Sequence, residues 1–260
     1  MNDSIINEYA NGASINNLAK TYNSTPYMIK KYLIANHISI RNANEQTSLS
    51  NLNRSIKIND NYFSELNLEN SYYLGFIAAD GTVRKNRNEI KITVNNLDKD
   101  FLLQMKDRMN YEGELHNLTT TQAIEYRFSS QQIKKDLEYY SIVPRKTYIG
   151  ITMKNIPQEY KLAFIKGYFD GDGSISINTK TQQLSIKIVS YTKNILQEIQ
   201  TTIKQKSSIY TNSRDNHILY SLELSTLPAL DFLKDIYSLN TPYLQRKYDK
   251  YLEILNIRIQ

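Results

Sequence analysis

Two short stretches of this chain end an apolar run in an aspartate followed by a glycine. "SYYLGFIAADGTV" covers Ser71 to Val83, and "KLAFIKGYFDGDGSI" covers Lys161 to Ile175. The last acids before those glycines, Asp80 and Asp172, fall where a helix would stop. A helix C-terminus carries partial negative charge, so a carboxylate there is disfavoured by a few tenths of a kcal/mol or more. Two such ends held side by side would repel further. A divalent cation removes both penalties. Mg²⁺ (or Mn²⁺) takes hard oxygens, usually one or two carboxylates with phosphate and water. Asp80 and Asp172 are therefore the candidate metal ligands. The alternatives are poor: there is no cysteine, and His37, His116 and His217 are scattered. "DGDGSISINTKT" fails as a calcium loop, because Ile175 stands where a glycine is required and Thr181 where a glutamate is.

Something must bring the two helix ends together, and the same stretches supply it. Gly75 and Ala79 are four residues apart, as are Gly167 and Gly171, so each pair lies on one stripe of its helix. Glycine inside a helix costs about 1 kcal/mol relative to alanine. A close backbone-to-backbone contact between the two helices would offset that.

The stretches open the two copies of an internal repeat. Each copy reads helix, two strands, helix, two strands, helix. The hairpins are "GTVRKNRNEIKITVNN" and "GSISINTKTQQLSIKIVSY", and the copies close on "VPRKTY" and "LQRKYDKY". That places Lys146 and Lys247 at equivalent positions. Alternation sorts the strands into faces. Ile90, Ile92 and Val94 point one way, with Lys91, Thr93 and Asn95 opposite. Leu184, Ile186 and Ile188 are inward, with Ser185 and Lys187 outward. Ile124, Tyr126 and Phe128 are inward, with Arg127 outward. Arg84, Lys85, Arg87 and Lys180 crowd the hairpin turns. A polar, basic face of this kind can lie in a DNA major groove. The fold class expected is α+β, two pseudo-symmetric αββαββα repeats at 69–150 and 151–260.

Residues 1–42 read as a separate helical unit. Thr25 caps a helix with Pro26 at its first position. Ile29 and Leu33 face inward, while Tyr27, Lys30 and Lys31 are left outside. "NGASINNLAKTYNSTPYMIKKYL" resembles the helix-turn-helix of resolvases and invertases, except that Ser24 replaces an aliphatic residue. That resemblance implies that the helix from Pro26 enters a major groove. Residues 43–68, polar and weakly periodic, read as a surface linker.

From about Leu66 onward, the paired motifs in their repeat order resemble the LAGLIDADG homing endonucleases, in the two-repeat monomeric form. The resemblance implies a DNA-binding saddle of antiparallel strands with the two motif helices at the pseudo-twofold axis. It implies Asp80 and Asp172 as metal-binding catalytic acids cutting one strand each, and a basic residue near each active site, at Lys146 and Lys247. Ala78 replaces the family's first aspartate, at a position that is not the catalytic one. The partner implied is double-stranded DNA with a long specific site.

Composition agrees. Of 260 residues 40% are hydrophobic, ample for a core, and the net charge of +6 suits an anionic partner. No apolar run reaches membrane-span length. With no cysteine to need an oxidising compartment, a soluble intracellular protein is expected, in a bacterial or phage-infected cytoplasm or an organelle. A non-cleaving regulator, or an intron RNA maturase on the same scaffold, is the competing reading; loss of the acids would mark a regulator, and both acids are present.

Overall fold

The computed structural model describes residues 4–46, 56–119, 121–178, 180–181, 183–214 and 217–259. The chain forms two compact units, Met1–Ile56 and Lys57–Gln260.

The first unit holds α1 (Ser4–Ala10), α2 (Ile15–Thr21) and α3 (Pro26–Ala35). Ser14 accepts from the Asn17 amide and Thr25 from the Met28 amide, so each hydroxyl satisfies a donor that a helix start would leave unpaired. Ile5, Tyr9, Leu18, Ala19, Ile29 and Leu33 make a small core. Arg41 fastens it: its guanidinium lies 3.8 Å over the Tyr9 ring and donates to the Ala13 carbonyl. Tyr27 is 71% exposed, and Lys30 and Lys31 are exposed beside it.

The second unit contains α4 (Leu68–Asp80), β1 (Gly81–Val83), β2 (Glu89–Asn95), α5 (Lys99–Arg108), β3 (His116–Leu118), β4 (Ala123–Ser129), α6 (Gln131–Tyr139) and the short α7 (Lys146–Ile149). The order then recurs as α8 (Lys161–Asp172), β5 (Gly173–Ile177), β6 (Leu184–Ser190), α9 (Lys193–Thr202), β7 (Ser208–Arg214), β8 (His217–Ser225) and α10 (Leu227–Tyr237), ending in α11 (Gln245–Ile259). This is an α+β fold with two four-stranded antiparallel sheets, ordered β1-β2-β4-β3 and β5-β6-β8-β7. Both repeats contribute to one continuous core.

The alternation in the strands is realised. Ile90, Ile92, Ile124, Tyr126 and Phe128 are buried in the first sheet, and Leu184, Ile186, Ile188, Leu222 and Leu224 in the second. Matching helices cover them, with Phe101, Leu102 and Met105 of α5 taking the role that Ile195, Leu196 and Ile199 take in α9.

The segment read from sequence as a linker, 43–68, divides differently in the structure. Residues 47–55 lie outside the described residues. From Lys57 on, the chain packs as part of the first repeat. Phe63 is fully buried in the main core, Ser64 donates to Asp136, and the Asn59 amide donates to the Met109 carbonyl. Asn70 donates to the carbonyls of Tyr62 and Glu65, tying this segment to the first turn of α4. Its polar composition hides one fully buried aromatic, Phe63, with Ile58, Tyr62 and Leu66 packed beside it against the same core.

Candidate active site

α4 and α8 run through the middle of the second unit. Residues 70–78 of α4 and 163–170 of α8 are all buried, as expected of helices that are packed on every side. The glycine stripes meet. A Cβ on Gly75 would collide with the Phe164 carbonyl, and one on Gly167 with the Tyr72 carbonyl. The contact is therefore backbone on backbone, at reciprocal positions in the two helices. Gly171 faces the Ala79 methyl in the same way. All four expected small residues lie in this interface.

The close approach brings the two C-terminal ends side by side. The carboxyl of Asp80 crosses to the opposite helix, where its Oδ2 lies 3.3 Å from the place a Cβ on Gly171 would take. Asp172 is half-buried at the end of α8. Desolvation raises its carboxyl, the charge of Asp80 raises it further, and it stands at about 6. Asp80 keeps solvent-facing surface, yet burial of its carboxyl also moves it above the ordinary carboxylate range, against the pull of Lys247, Lys146 and Arg246.

Lys146 and Lys247 are not surface side chains. They are 6% and 5% exposed. Lys146 Nζ donates to the carbonyls of Ala78 (2.6 Å) and Ala79 (2.7 Å), closing the C-terminal end of α4. Lys247 Nζ donates to Phe169 (2.5 Å), Asp170 (2.8 Å) and Gly173 (2.6 Å), closing the end of α8. Each ammonium thus offsets the negative helix end on which an aspartate sits. Burial pushes both lysines down to about 8, with Asp172 opposing most at Lys146 and Asp170 at Lys247. The electrostatics cross over between repeats. The cation acting most strongly on Asp80 is Lys247, and on Asp172 it is Lys146.

Two carboxylates and no histidine make a hard-oxygen donor set, which fits Mg²⁺ or Mn²⁺ with water and phosphate filling the remaining positions. The nearby carbonyls of Ala78, Ala79, Phe169, Asp170 and Gly173 are already occupied by lysine. Among the described residues no group of three or more His, Cys, Asp or Glu could hold a metal. Beside Asp172 opens a cleft of about 120 Å³, lined in part by Lys146, Tyr168, Ser190 and Thr192.

The residues expected to touch DNA sort into two groups. Lys85, Arg87 and Lys180 are exposed at the hairpin turns. The carbonyls of Lys85 and Arg87 accept from Lys134, which steadies that hairpin. The sheet-face cations are instead paired with carboxylates on the same face. Arg127 (2.5 Å) and Lys91 (3.1 Å) flank Glu125, and Lys187 pairs with Glu223 at 2.7 Å; in the first hairpin turn Arg84 likewise pairs with Glu89 at 3.2 Å. Burial pushes Glu125 up, but the hydrogen bonds from Arg127 and Lys91 prevail and hold it below the ordinary range. The alternation reading put Lys91, Arg127 and Lys187 on one face and overlooked the acids that share it: Glu125, two residues from Arg127 on β4 and across the sheet from Lys91, and Glu223, directly opposite Lys187.

Sequence reasoning also missed Asp170, Lys166, Tyr168, Asp98 and Arg246. One signal was available, since Lys166 and Asp170 form an i,i+4 charged pair inside an otherwise apolar helix. Arg246 reaches Asp98 of the other repeat at 3.1 Å, a contact with no local signature.

Residues 159–237 match the family model described as a LAGLIDADG-like domain. An uncharacterized protein of Methanocaldococcus jannaschii is 26% identical over 156 residues, 58% of this chain and 56% of that protein. The DNA-directed RNA polymerase subunit Rpo1C of the same organism is 23% identical over 207 residues, 74% of this chain and 23% of its own length. The matched region thus spans little more than half of one of these relatives and under a quarter of the other. Among solved structures, the meganuclease I-SmaMI bound to uncleaveable DNA superposes with a TM-score of 0.54 at 14% identity, covering 74% of this chain and 90% of that one. The LAGLIDADG homing endonuclease I-GzeII in complex with its DNA target gives 0.52 at 13%, covering 74% and 90%. At these identities the likeness is one of fold, and the fold is that of two-repeat LAGLIDADG endonucleases. No described helix is long and apolar enough to cross a membrane.

Proposed function

We propose that this chain is a site-specific, divalent-metal-dependent DNA endonuclease that hydrolyses one phosphodiester bond on each strand, with Asp80 and Asp172 serving one strand each. The observation that carries the reading is the meeting of two aspartates at the ends of a glycine-packed helix pair, each end closed by a buried lysine. Asp80 and Asp172 would hold Mg²⁺ or Mn²⁺. Such a cation, when bound, supplies charge neutralisation at the phosphate and an activated water. The chain contributes the rest. The glycine contacts fix the spacing of the carboxylates, and the lysines keep cationic charge beside them. Burial lowers the local dielectric, so these charges act strongly on an incoming phosphate.

The sheets would form a saddle over double-stranded DNA, with Lys85, Arg87 and Lys180 contacting the backbone from the hairpins. Lys91, Arg127 and Lys187 meet DNA there only with their acidic partners beside them, which favours reading of base edges over charge neutralisation. The N-terminal unit would act as a helix-turn-helix presenting Tyr27, Lys30 and Lys31, and the enzyme would work as a monomer.

The test is selection of cleaved sites from a randomised DNA library with Mg²⁺, with the ends sequenced. Double-strand cuts at a long recurring site that vanish on chelation and in Asp80→Asn and Asp172→Asn support the reading. Tight binding without cutting at any divalent metal would overturn it in favour of a regulator, and selective retention of intron RNA in favour of a maturase.

A further inference from the structure

The two halves of this site are built differently, and the difference centres on Asp170. Its side chain is fully buried two residues before Asp172. Oδ2 accepts from the Tyr72 hydroxyl (2.7 Å), which comes from α4, and from the Leu244 amide (3.0 Å). Oδ1 lies 3.4 Å from the Tyr237 hydroxyl at the end of α10. The Asp170 carbonyl takes a hydrogen bond from Lys247. Leu244 is the residue immediately before α11, and Lys247 is the third residue of that helix. A single carboxylate therefore gathers the end of α10, the start of α11 and the opposite motif helix around the point where Lys247 must arrive. Lys166 backs the cluster. Its Nζ donates to Thr241 Oγ1 at 2.8 Å and lies 5.2 to 5.8 Å from the rings of Tyr72, Tyr237 and Tyr243.

Among the described residues the first repeat builds no such cluster of its own. Ala78 stands at the position of Asp170. Lys146 arrives instead on a four-residue helix entered through Arg145 in a left-handed conformation, with φ of 64°. We infer that Asp170 is a positioning residue that seats Lys247 beside Asp80, so that it governs one half of the proposed site and leaves the other untouched. The inference rests on the proposed endonuclease reading only for its catalytic consequence; the placement of Lys247 can be measured without any cleavage.

Two readouts test it on the full chain. The first is the rate of acylation of each lysine by an amine-reactive reagent, followed by mass spectrometry. In the unaltered protein Lys146 and Lys247 should react at least about tenfold more slowly than exposed Lys85, because each must open locally to be modified. In Asp170→Ala, Lys247 should approach the rate of Lys85 while Lys146 stays slow. Asp170→Asn keeps an acceptor for the Leu244 amide and should keep Lys247 slow. Alanine is the residue the first repeat already uses here. Should Asp170→Ala not fold, Asp170→Ser, whose hydroxyl is too short to reach Leu244, is read in the same way. Lys247 staying slow in the alanine or serine variant, or Lys146 rising with it, would overturn the inference.

The second readout is strand-resolved cleavage. Asp170→Ala should slow one strand by about tenfold or more and leave the other unchanged, and the slow strand should be the one lost in Asp80→Asn. Equal slowing of both strands, or loss of the strand that depends on Asp172, would overturn it. If the unaltered protein cuts no DNA, the endonuclease reading fails and the acylation result still decides the placement of Lys247.

Discussion

Gly75→Ala tests the helix contact on which the whole site depends. Judged by helix propensity alone, the change should stabilise α4 by about 1 kcal/mol. The structure reverses that expectation, because the new methyl would collide with the Phe164 carbonyl and crowd the Tyr168 amide. Both obstacles are backbone, so no side chain can swing aside. The helices must separate by roughly an ångström, and a gap of that size forfeits a quarter to a half of the dispersion attraction between flanking atoms. Overpacking of this kind costs typically 1–3 kcal/mol. With every obstacle backbone, the upper half of that range applies, about 2–3 kcal/mol; after the propensity gain a net loss of about 1–2 kcal/mol remains, and for a unit of this size that lowers Tm by about 2–8 °C. Gly167→Ala meets the Tyr72 carbonyl at the reciprocal place, and should behave alike. The double variant should lose less than the sum, since one separation makes room for both methyls. Cleavage should fall in all three, because Asp80 and Asp172 move apart with the helices. The assay is calorimetry together with single-turnover cleavage. A melting temperature equal to or above that of the unaltered protein in either single variant would refute the close contact.

Phe63→Ala should destabilise the second unit by about 3–5 kcal/mol, whereas the linker reading would make it neutral; urea unfolding distinguishes them. Lys247→Met should slow the strand that depends on Asp80 more than the other, and Lys146→Met the strand that depends on Asp172; equal effects would refute the crossed electrostatics. Asp172 stands at about 6, above the unfolded carboxylate value, so below pH 6 a proton competes with the cation. Mg²⁺ or Mn²⁺ affinity measured by titration calorimetry should therefore fall by up to about tenfold per pH unit beneath that point, and an affinity flat from pH 7 to 5 would refute it. Removing residues 1–42 should shorten the DNase footprint and flatten the salt dependence by about 0.9 in log–log slope for each phosphate that the unit neutralises, leaving the cut phosphates unchanged. An unaltered footprint would mean that this unit does not touch the target.

The sequence by itself determined the repeat, the two motif helices and the small residues where they meet, because each carries a local and duplicated signature. Period-two alternation determined which faces of β2, β4 and β6 are buried, and Thr25 with Pro26 determined where α3 begins. Tertiary structure decided what those signatures could not encode. Whether Lys91 and Lys187 stand free or paired depends on strand register, since Glu125 and Glu223 reach them only across the sheet, whereas Arg127 meets Glu125 along its own strand. Whether 57–67 is linker or core depends on Phe63, with Ile58, Tyr62 and Leu66, finding the apolar surface of the first repeat. The lysines were legible as repeat-equivalent residues, but not as buried caps whose charge acts on the opposite repeat. That crossing exists because α4 and α8 pack closely enough for the Asp80 carboxylate to lie against α8 and for Asp172 to share a cleft with Ala78 and Ala79, a fact fixed by backbone packing and by nothing in either motif alone.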